Sequence, residues 1–207
     1  MKNVSAGVGA LAFAILTFVA AIIESGPGGT YKASNVAKFV DSGHRPVVFV
    51  SLYMAVLGAA GLLLLLARLR ALIADASRSS VFWALTVAGV GAWIAGWAVG
   101  SAVPIVMGYG GKHVTLAPTL TYTLSTTGAV IISAGAILVG CALLTLTLGP
   151  VVLPSWVRWS TLVAGIAALA APAWFPLFLV YIWAAVIGIW LLATRDRATA
   201  SSPAHPV

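Results

Sequence analysis

The sequence predicts an all-α integral membrane protein, a six-helix bundle with both the N-terminus and the C-terminus in the cytoplasm. Of its 207 residues, 61% are hydrophobic and 7% are charged, whereas about a quarter of an ordinary soluble domain is charged. Apolar runs of the length needed to cross a bilayer, about 18 residues or more, also recur along the whole chain. No soluble core could hide so much apolar surface, so lipid is the natural solvent of most of this chain.

Six segments are predicted to span the membrane. In chain order they cover residues 4–23, 46–67, 81–103, 118–148, 156–171 and 175–193. The last two are close to the minimum spanning length, and they are joined by "APAWFP", in which Pro172 and Pro176 end one helix and begin the next. The spacing therefore predicts a tight antiparallel hairpin, with a five-span chain and a re-entrant hairpin as the alternative.

The positions of the arginines and lysines predict the orientation. One set of connections carries seven of them: Lys2, Arg68, Arg70, Arg78, Arg158, Arg195 and Arg197. The other set carries four: Lys32, Lys38, Arg45 and Lys112. The more basic side usually stays in the cytoplasm, so both termini are predicted to lie there. Residues 1–197 are predicted to form one domain of a bacterial inner membrane (plasma membrane) protein, and residues 198–207 a disordered cytoplasmic tail. The first helix acts as the targeting signal, with cleavage of a signal peptide near Ala20 as the alternative.

The first outer connection contains a predicted short helix over residues 34–42. Val36 and Phe39 fall on one helical face, and Ser34 and Gly43 occupy plausible N-cap and C′ positions. This pattern is typical of an amphipathic helix that lies in the membrane interface. The second outer connection, "PIVMGYGGKHVTLA", is rich in glycine and predicts no regular element.

The third span carries small residues at four-residue spacing, namely Ala88, Ala92, Gly96 and Gly100. Such a stripe lets two helix backbones approach closely in lipid. We interpret it as a helix-packing face. Its partner is either another helix of the same chain or a second copy in a homo-oligomer.

Several classes of function are not supported by the sequence. The net charge of +7 comes from basic residues scattered singly at the ends of apolar runs, which indicates membrane topology and no nucleic acid partner. Walker, HExxH, CxxC and GxSxG motifs do not occur, so no cofactor is expected. The predicted spans hold essentially no ionisable residues away from their ends, which argues against a proton-coupled pump built from this chain alone.

Polar side chains gather instead on the predicted outer face. They are Glu24, Asp41, His44, Arg45 and His113. Two carboxylates and two histidines could bind a ligand or a metal ion, or they could supply an acid and a base. The simpler interpretation is that polar residues collect where a membrane protein meets water.

Four aromatic residues are predicted below this outer rim: Tyr53, Trp97, Tyr122 and Tyr181. Together they could form an aromatic wall suited to a small apolar or amphiphilic ligand.

The first half of the chain resembles an uncharacterised family of bacterial multi-pass membrane proteins with a domain of unknown function of the 4386 type. The resemblance rests on "GALAFAILTFVAAI", "ASNVAKFVDSGHRPVVFVSLYMAVLGAAGLLLLLARLR" and "VFWALTVAGVGAWIAGWAVG". It covers residues 9–100 and implies the helical membrane fold, with no activity to carry over.

Three hypotheses for function follow. The first is a non-catalytic binding, transport or accessory component, within the lipid bilayer, for a small hydrophobic or amphiphilic molecule. The second is a membrane-embedded enzyme or metal site at the outer rim. The third is a self-associating pore that uses the small-residue stripe.

Overall fold

The computed structural model describes residues 2–24, 26–27, 31–110, 117–150 and 153–200, and the side chains between residues 3 and 194. All regular elements in these ranges are helical, which confirms the predicted all-α class. The α-helices are α1 Lys2–Ala12, α2 Phe18–Ile23, α3 Ala33–Val40, α4 Arg45–Arg70, α5 Ala76–Gly100, α6 Ala102–Gly110, α7 Pro118–Thr147, α8 Ser155–Leu169 and α9 Leu177–Ala200. A π-helical turn, Phe13–Thr17, joins α1 and α2 into one continuous helix.

Five helical segments of the described chain are long and apolar enough to cross a membrane. They are Asn3–Ile23, Arg45–Arg70, Ala76–Gly100, Pro118–Thr147 and Leu177–Thr194. The remaining predicted span corresponds to α8, which has 15 residues. At 1.5 Å per residue, α8 is about 22 Å long, whereas the hydrocarbon core of a bilayer is about 30 Å thick. Length and composition therefore support a multi-pass membrane protein, with α8 as the exception.

Neighbouring helices run antiparallel. A Cβ added to Gly7 would lie 2.9 Å from the carbonyl oxygen of Gly188, so the start of α1 packs beside the second half of α9. Farther along α1, the Phe13 ring lies 5.5 Å from that of Tyr181, nearer the start of α9. The first residues of α1 and the last turns of α9 consequently lie at the same end of the bundle.

Arginines collect at this same end, which we call the arginine end. Arg158 donates from Nε to the carbonyl oxygen of Thr147 at 3.0 Å, and Arg78 donates from Nη2 to that of Pro150 at 2.6 Å. Carbonyls in the last turn of a helix lack intrahelical partners and carry partial negative charge. The Arg158 guanidinium therefore satisfies a carbonyl at the C-terminal end of α7, and Arg78 bonds the chain just beyond it.

Glycines bring α5 and α7 into the most extensive helix contact of the bundle. A Cβ added to Gly128 would lie 2.5 Å from the carbonyl oxygen of Gly96, and one added to Gly135 would lie 2.6 Å from that of Gly89. Backbone lies against backbone at these points, which is how helices gain van der Waals contact in lipid.

The predicted small-residue stripe is only partly the surface that packs. Gly96 is buried against α7 and Gly100 lies at the edge of that contact, while Ala92 is half-buried and Ala88 is exposed. The contact face is rotated toward Gly89 because the glycines, and not the alanines, allow the closest approach. The partner of this face is α7 of the same chain.

The core between α1, α5 and α9 is aromatic. Phe13 is 0% exposed, and its ring lies 6.0 Å from Trp93 and 5.5 Å from Tyr181. Ring pairs at these separations add to the packing energy of the buried surface.

The predicted amphipathic helix is present in the structure as α3, with different ends. It spans Ala33–Val40 and has Lys32, not Ser34, at its N-cap. Beyond its last residue, the Asp41 carboxylate accepts from the backbone N–H of Gly43 at 2.9 Å, so Gly43 belongs to the following turn. The apolar face of α3, with Val36 and Phe39, is buried, and the helix packs against α6 and α7.

Helices α6 and α9 include residues for which the sequence predicted no regular structure. Helix α6 occupies the start of the glycine-rich outer connection, with Pro104 in its first turn, where a missing N–H removes no helical hydrogen bond. Helix α9 continues to Ala200, so the first three residues of the predicted disordered tail are helical, and residues 201–207 lie outside the described chain.

Candidate functional site

A cavity opens at the end of the bundle opposite the arginine end, which we call the Glu24 end. Its volume is about 370 Å³, and it lies between α2, α5, α7 and the turn that precedes α9. Lining side chains include Glu24, Trp97, Tyr122, Ser125 and Trp174, and glycines and alanines form much of the remaining wall. Mostly apolar cavities of this size with few polar groups are typical of small-molecule sites.

Glu24 provides the carboxylate of the cavity. It follows the last residue of α2, and its two oxygens accept hydrogen bonds from two fully buried serines: Ser51 Oγ of α4 at 2.6 Å and Ser101 Oγ, between α5 and α6, at 3.0 Å. These bonds use two of about four lone-pair positions of a carboxylate. Burial raises the pKa of Glu24 from 4.5 to about 6, although both serine hydrogen bonds oppose this change.

The raised pKa predicts that acid stabilises the fold. Because the folded protein holds the Glu24 proton more tightly than the unfolded chain, folding is favoured as the pH falls from about 6 toward 4.5. The gain is at most about 2 kcal/mol. We expect the thermal midpoint in detergent to rise between pH 7.5 and pH 4.5, and we expect this rise to shrink in Glu24→Gln.

The matched control for this prediction is Asp41→Asn, which removes an exposed carboxylate that bonds only within its own turn. It should retain the pH dependence of the wild type. An unchanged pH dependence of the thermal midpoint in Glu24→Gln would contradict the assignment of this effect to Glu24.

Trp174 is held at the cavity by a strained turn. Its φ of 59° is in the left-handed region, which bulky residues rarely adopt. The backbone N–H of Phe175 donates to the carbonyl oxygen of Ala173 at 2.6 Å and closes a γ-turn around Trp174. Strain of this kind persists only where the surroundings enforce it, and it often accompanies binding sites.

Trp97 lines the cavity with a largely buried side chain. The side chain is 8% exposed, and its Nε1 has no hydrogen-bond partner among the described residues. A buried N–H without a partner is unfavourable by about 1–3 kcal/mol. Trp93, one turn away, shares this property deeper in the core.

Of the other predicted outer-rim residues, Asp41, His44 and Arg45 are not among the side chains that line this cavity. Arg45 joins two elements by donating from Nε to the carbonyl oxygen of Val40 at 3.1 Å and from Nη1 to that of Met107 at 3.2 Å. Asp41 is engaged in its own turn.

Of the two predicted histidines, only His44 lies within the described residues. His44 packs its ring 5.9 Å from that of Phe39 and lines a separate cavity together with Lys38. His113 lies outside the described residues, so its predicted place beside Glu24 stays a prediction.

Within the described ranges, no group of three or more His, Cys, Asp or Glu side chains is arranged to hold a metal ion. Structural metal sites need three or four such ligands in a defined geometry. The described part of the outer rim therefore gives the metal-site hypothesis no support.

The predicted aromatic wall is divided by the structure. Trp97 and Tyr122 line the cavity. Tyr53 is 68% exposed on the outside of the bundle, and Tyr181 is buried in the aromatic core. Helix rotation explains the difference, because residues at the same membrane depth point in different directions around their helix axes.

Sequence reasoning missed Ser51, Ser101, Ser125 and Trp174. Each serine lies in or next to an apolar helix, where a hydroxyl has few partners. A search for hydroxyls at the predicted depth of Glu24 could have found Ser51 and Ser101. The position of Trp174 depends on a turn conformation that no local pattern indicates.

No family model matches the chain, and searches of curated proteins and of solved structures found no similar protein. The resemblance of residues 9–100 to a bacterial membrane family therefore stays a prediction, and the interpretation of the cavity depends on its own geometry.

Proposed function

We propose that this protein binds a small hydrophobic or amphiphilic molecule in the cavity at the Glu24 end, as a binding, transport or accessory component of the bacterial inner membrane. The observation that carries the proposal is the composition of the cavity. Apolar and aromatic walls surround one carboxylate at the end of the bundle. Apolar walls provide affinity for such a ligand, and a few placed polar groups orient it.

We further propose six membrane spans, with the arginine end in the cytoplasm and α3 in the outer interface. The end of α7 bonds Arg158 near the start of α8, and the turn after α8 brings Trp174 to the Glu24 cavity. Residues 153–173 therefore connect the two ends of the bundle, although α8 is short. Local thinning of the bilayer can accommodate such a mismatch at a modest energetic cost.

The cavity and its orientation can be tested together with a cysteine reporter. Ser125 lines the cavity, and Cys141 is the single native cysteine. We expect Ser125→Cys in a Cys141→Ala background to react with a membrane-impermeant maleimide in right-side-out vesicles. A saturating small amphiphile should slow this reaction about tenfold or more by occupying the cavity.

The control reporter is Ser42→Cys in the same background, because Ser42 is exposed in the turn after α3, outside the apolar spans, and does not line this cavity. Its reaction rate should not change with the amphiphile. Equal protection of both reporters, or none at Ser125→Cys, would contradict the binding proposal, and labelling only in inside-out vesicles would reverse the orientation.

A further inference from the structure

We infer that the ligand of the Glu24 cavity is an organic cation with an apolar body, such as a quaternary or aryl ammonium ion, and that Glu24 is its counter-ion. This inference rests on the proposed function and adds the charge of the ligand to it.

The charge balance of the cavity is the first argument. Glu24 is the one acidic residue among the described residues that line the cavity, and no Lys, Arg or His is among them. Arg45, the arginine at this end, is held by two backbone carbonyls. A partly buried carboxylate with no cationic neighbour among the described residues is disfavoured by desolvation, and a cationic ligand would provide that partner.

The geometry around Glu24 leaves room for that partner. Ser51 and Ser101 approach the carboxylate from the side of α4 and α5. Each donates one hydrogen bond, Ser51 to Oε2 and Ser101 to Oε1. The remaining lone-pair positions stay free for a ligand in the cavity that Glu24 lines. The serines hold the carboxylate in place without neutralising it.

Aromatic rings make the same cavity suited to an organic cation. Trp97, Tyr122 and Trp174 line it, and the faces of such rings attract cations within about 6 Å, most strongly for tryptophan. The small side chains of Gly96, Gly100 and Ala129 leave space for the apolar body between these rings.

A metal ion fits these groups poorly. Hard cations such as Ca²⁺ take about six to eight oxygen ligands, whereas one carboxylate and two serine hydroxyls are grouped here. Both hydroxyls donate to the carboxylate, and the single proton of Ser51 Oγ is shared with the carbonyl oxygen of Val48, which lies 2.9 Å from Oγ. Among the described residues of the remaining wall, the side-chain oxygens are hydroxyls such as that of Ser125, and none is a second carboxylate.

The test uses phenyltrimethylammonium and its neutral isostere tert-butylbenzene as probes of the full-length protein. Protection of the Ser125→Cys reporter from the maleimide gives the affinity for each probe. It is measured in the reporter protein and in the same protein that also carries Glu24→Gln. We expect the variant to weaken cation binding about tenfold or more, as for loss of a partly buried charge pair, and to leave the neutral probe unchanged. Partitioning of a probe into detergent does not affect the result, because the affinity of each probe is compared between the two proteins and not with that of the other probe.

A second measurement keeps the inference testable if Glu24→Gln does not fold. Cation protection is measured between pH 7.5 and pH 5, with each rate divided by the rate without ligand at the same pH. Since the pKa of Glu24 is about 6 and the carboxylate is the binding form, affinity should fall about tenfold on acidification.

Other groups on the surrounding elements also carry charge or titrate. At the Glu24 end of the described chain they are Tyr31, Lys32, Lys38, Asp41, His44, Arg45, Tyr53, Tyr109 and Tyr122. Because histidine side chains titrate in the same pH range, the measurement is repeated with His44→Gln, which should retain the pH dependence.

The outcomes separate the two proposals. Neutral-probe protection with no preference for the cation, or equal weakening of both probes by Glu24→Gln, overturns the inference and leaves the cavity as a binding site. Protection by neither probe contradicts the proposed function itself. A pH dependence that disappears in His44→Gln assigns the charge requirement to His44 and overturns the role of Glu24.

Discussion

Replacement of Gly128 by valine is expected to separate α5 from α7 and to destabilise the bundle by about 3 kcal/mol, at the upper end for overpacked cores. A Cβ at this position would lie 2.5 Å from the carbonyl oxygen of Gly96 and 2.6 Å from the Cα of Gly100. These are backbone atoms, so no side-chain rotation relieves the clash. Unfolding in mixed detergent and dodecyl sulfate micelles measures the loss.

Gly91→Val is the matched control, since it places the same side chain on the exposed side of α5. An added Cβ there meets no heavy atom within 4 Å, and the difference in helix propensity is less than about 1 kcal/mol. Similar losses for both variants would show that the glycines do not act through close packing. Selective loss for Gly128→Val would support the contact between α5 and α7 within one chain.

Replacement of Phe13 by alanine is expected to lower the free energy of unfolding by about 2 kcal/mol, the second largest effect. The ring is 0% exposed and contacts Trp93 and Tyr181. In soluble proteins, Phe→Ala in a core is unfavourable by about 3–5 kcal/mol, including the transfer of the side chain from water. In lipid that transfer contributes little, so mainly the cavity and the lost ring contacts remain.

Phe175→Ala provides the comparison at an exposed position. Its ring is 78% exposed at the end of the bundle, so the change should be within about 0.5 kcal/mol. The same dodecyl sulfate titration reports both variants. If Phe13→Ala were as mild as Phe175→Ala, the aromatic core would not be a main source of stability.

The candidate site shows what a membrane sequence can and cannot reveal. Glu24 was predicted as a site residue because the predicted topology places it on the same outer face as the other polar side chains. Asp41 and Arg45 were predicted on the same face, yet backbone groups engage both: Asp41 within its own turn, and Arg45 through the carbonyl oxygens of Val40 and Met107. Sequence spacing does not distinguish a side chain that enters a cavity from one that closes a turn, because the difference is one of direction.

The aromatic residues repeat this lesson. Trp97 and Tyr122 line the cavity, whereas Tyr53 points outward. In a membrane helix the lipid-facing and buried sides are both apolar, so periodicity no longer marks the inward face as it does in soluble helices.

Composition and run length by themselves determined that this is a helical protein made to lie in a bilayer, because unpaired backbone groups and charges are too costly in lipid for other solutions. The distribution of arginines pointed to one end of the bundle, and four of them, Arg68, Arg70, Arg78 and Arg158, make hydrogen bonds there. Only the tertiary structure decided which glycines let α5 and α7 touch and that Glu24 meets Ser51 and Ser101 at an aromatic cavity. Those features depend on the rotation and closest approach of helices, which distant residues determine jointly and which no local pattern encodes.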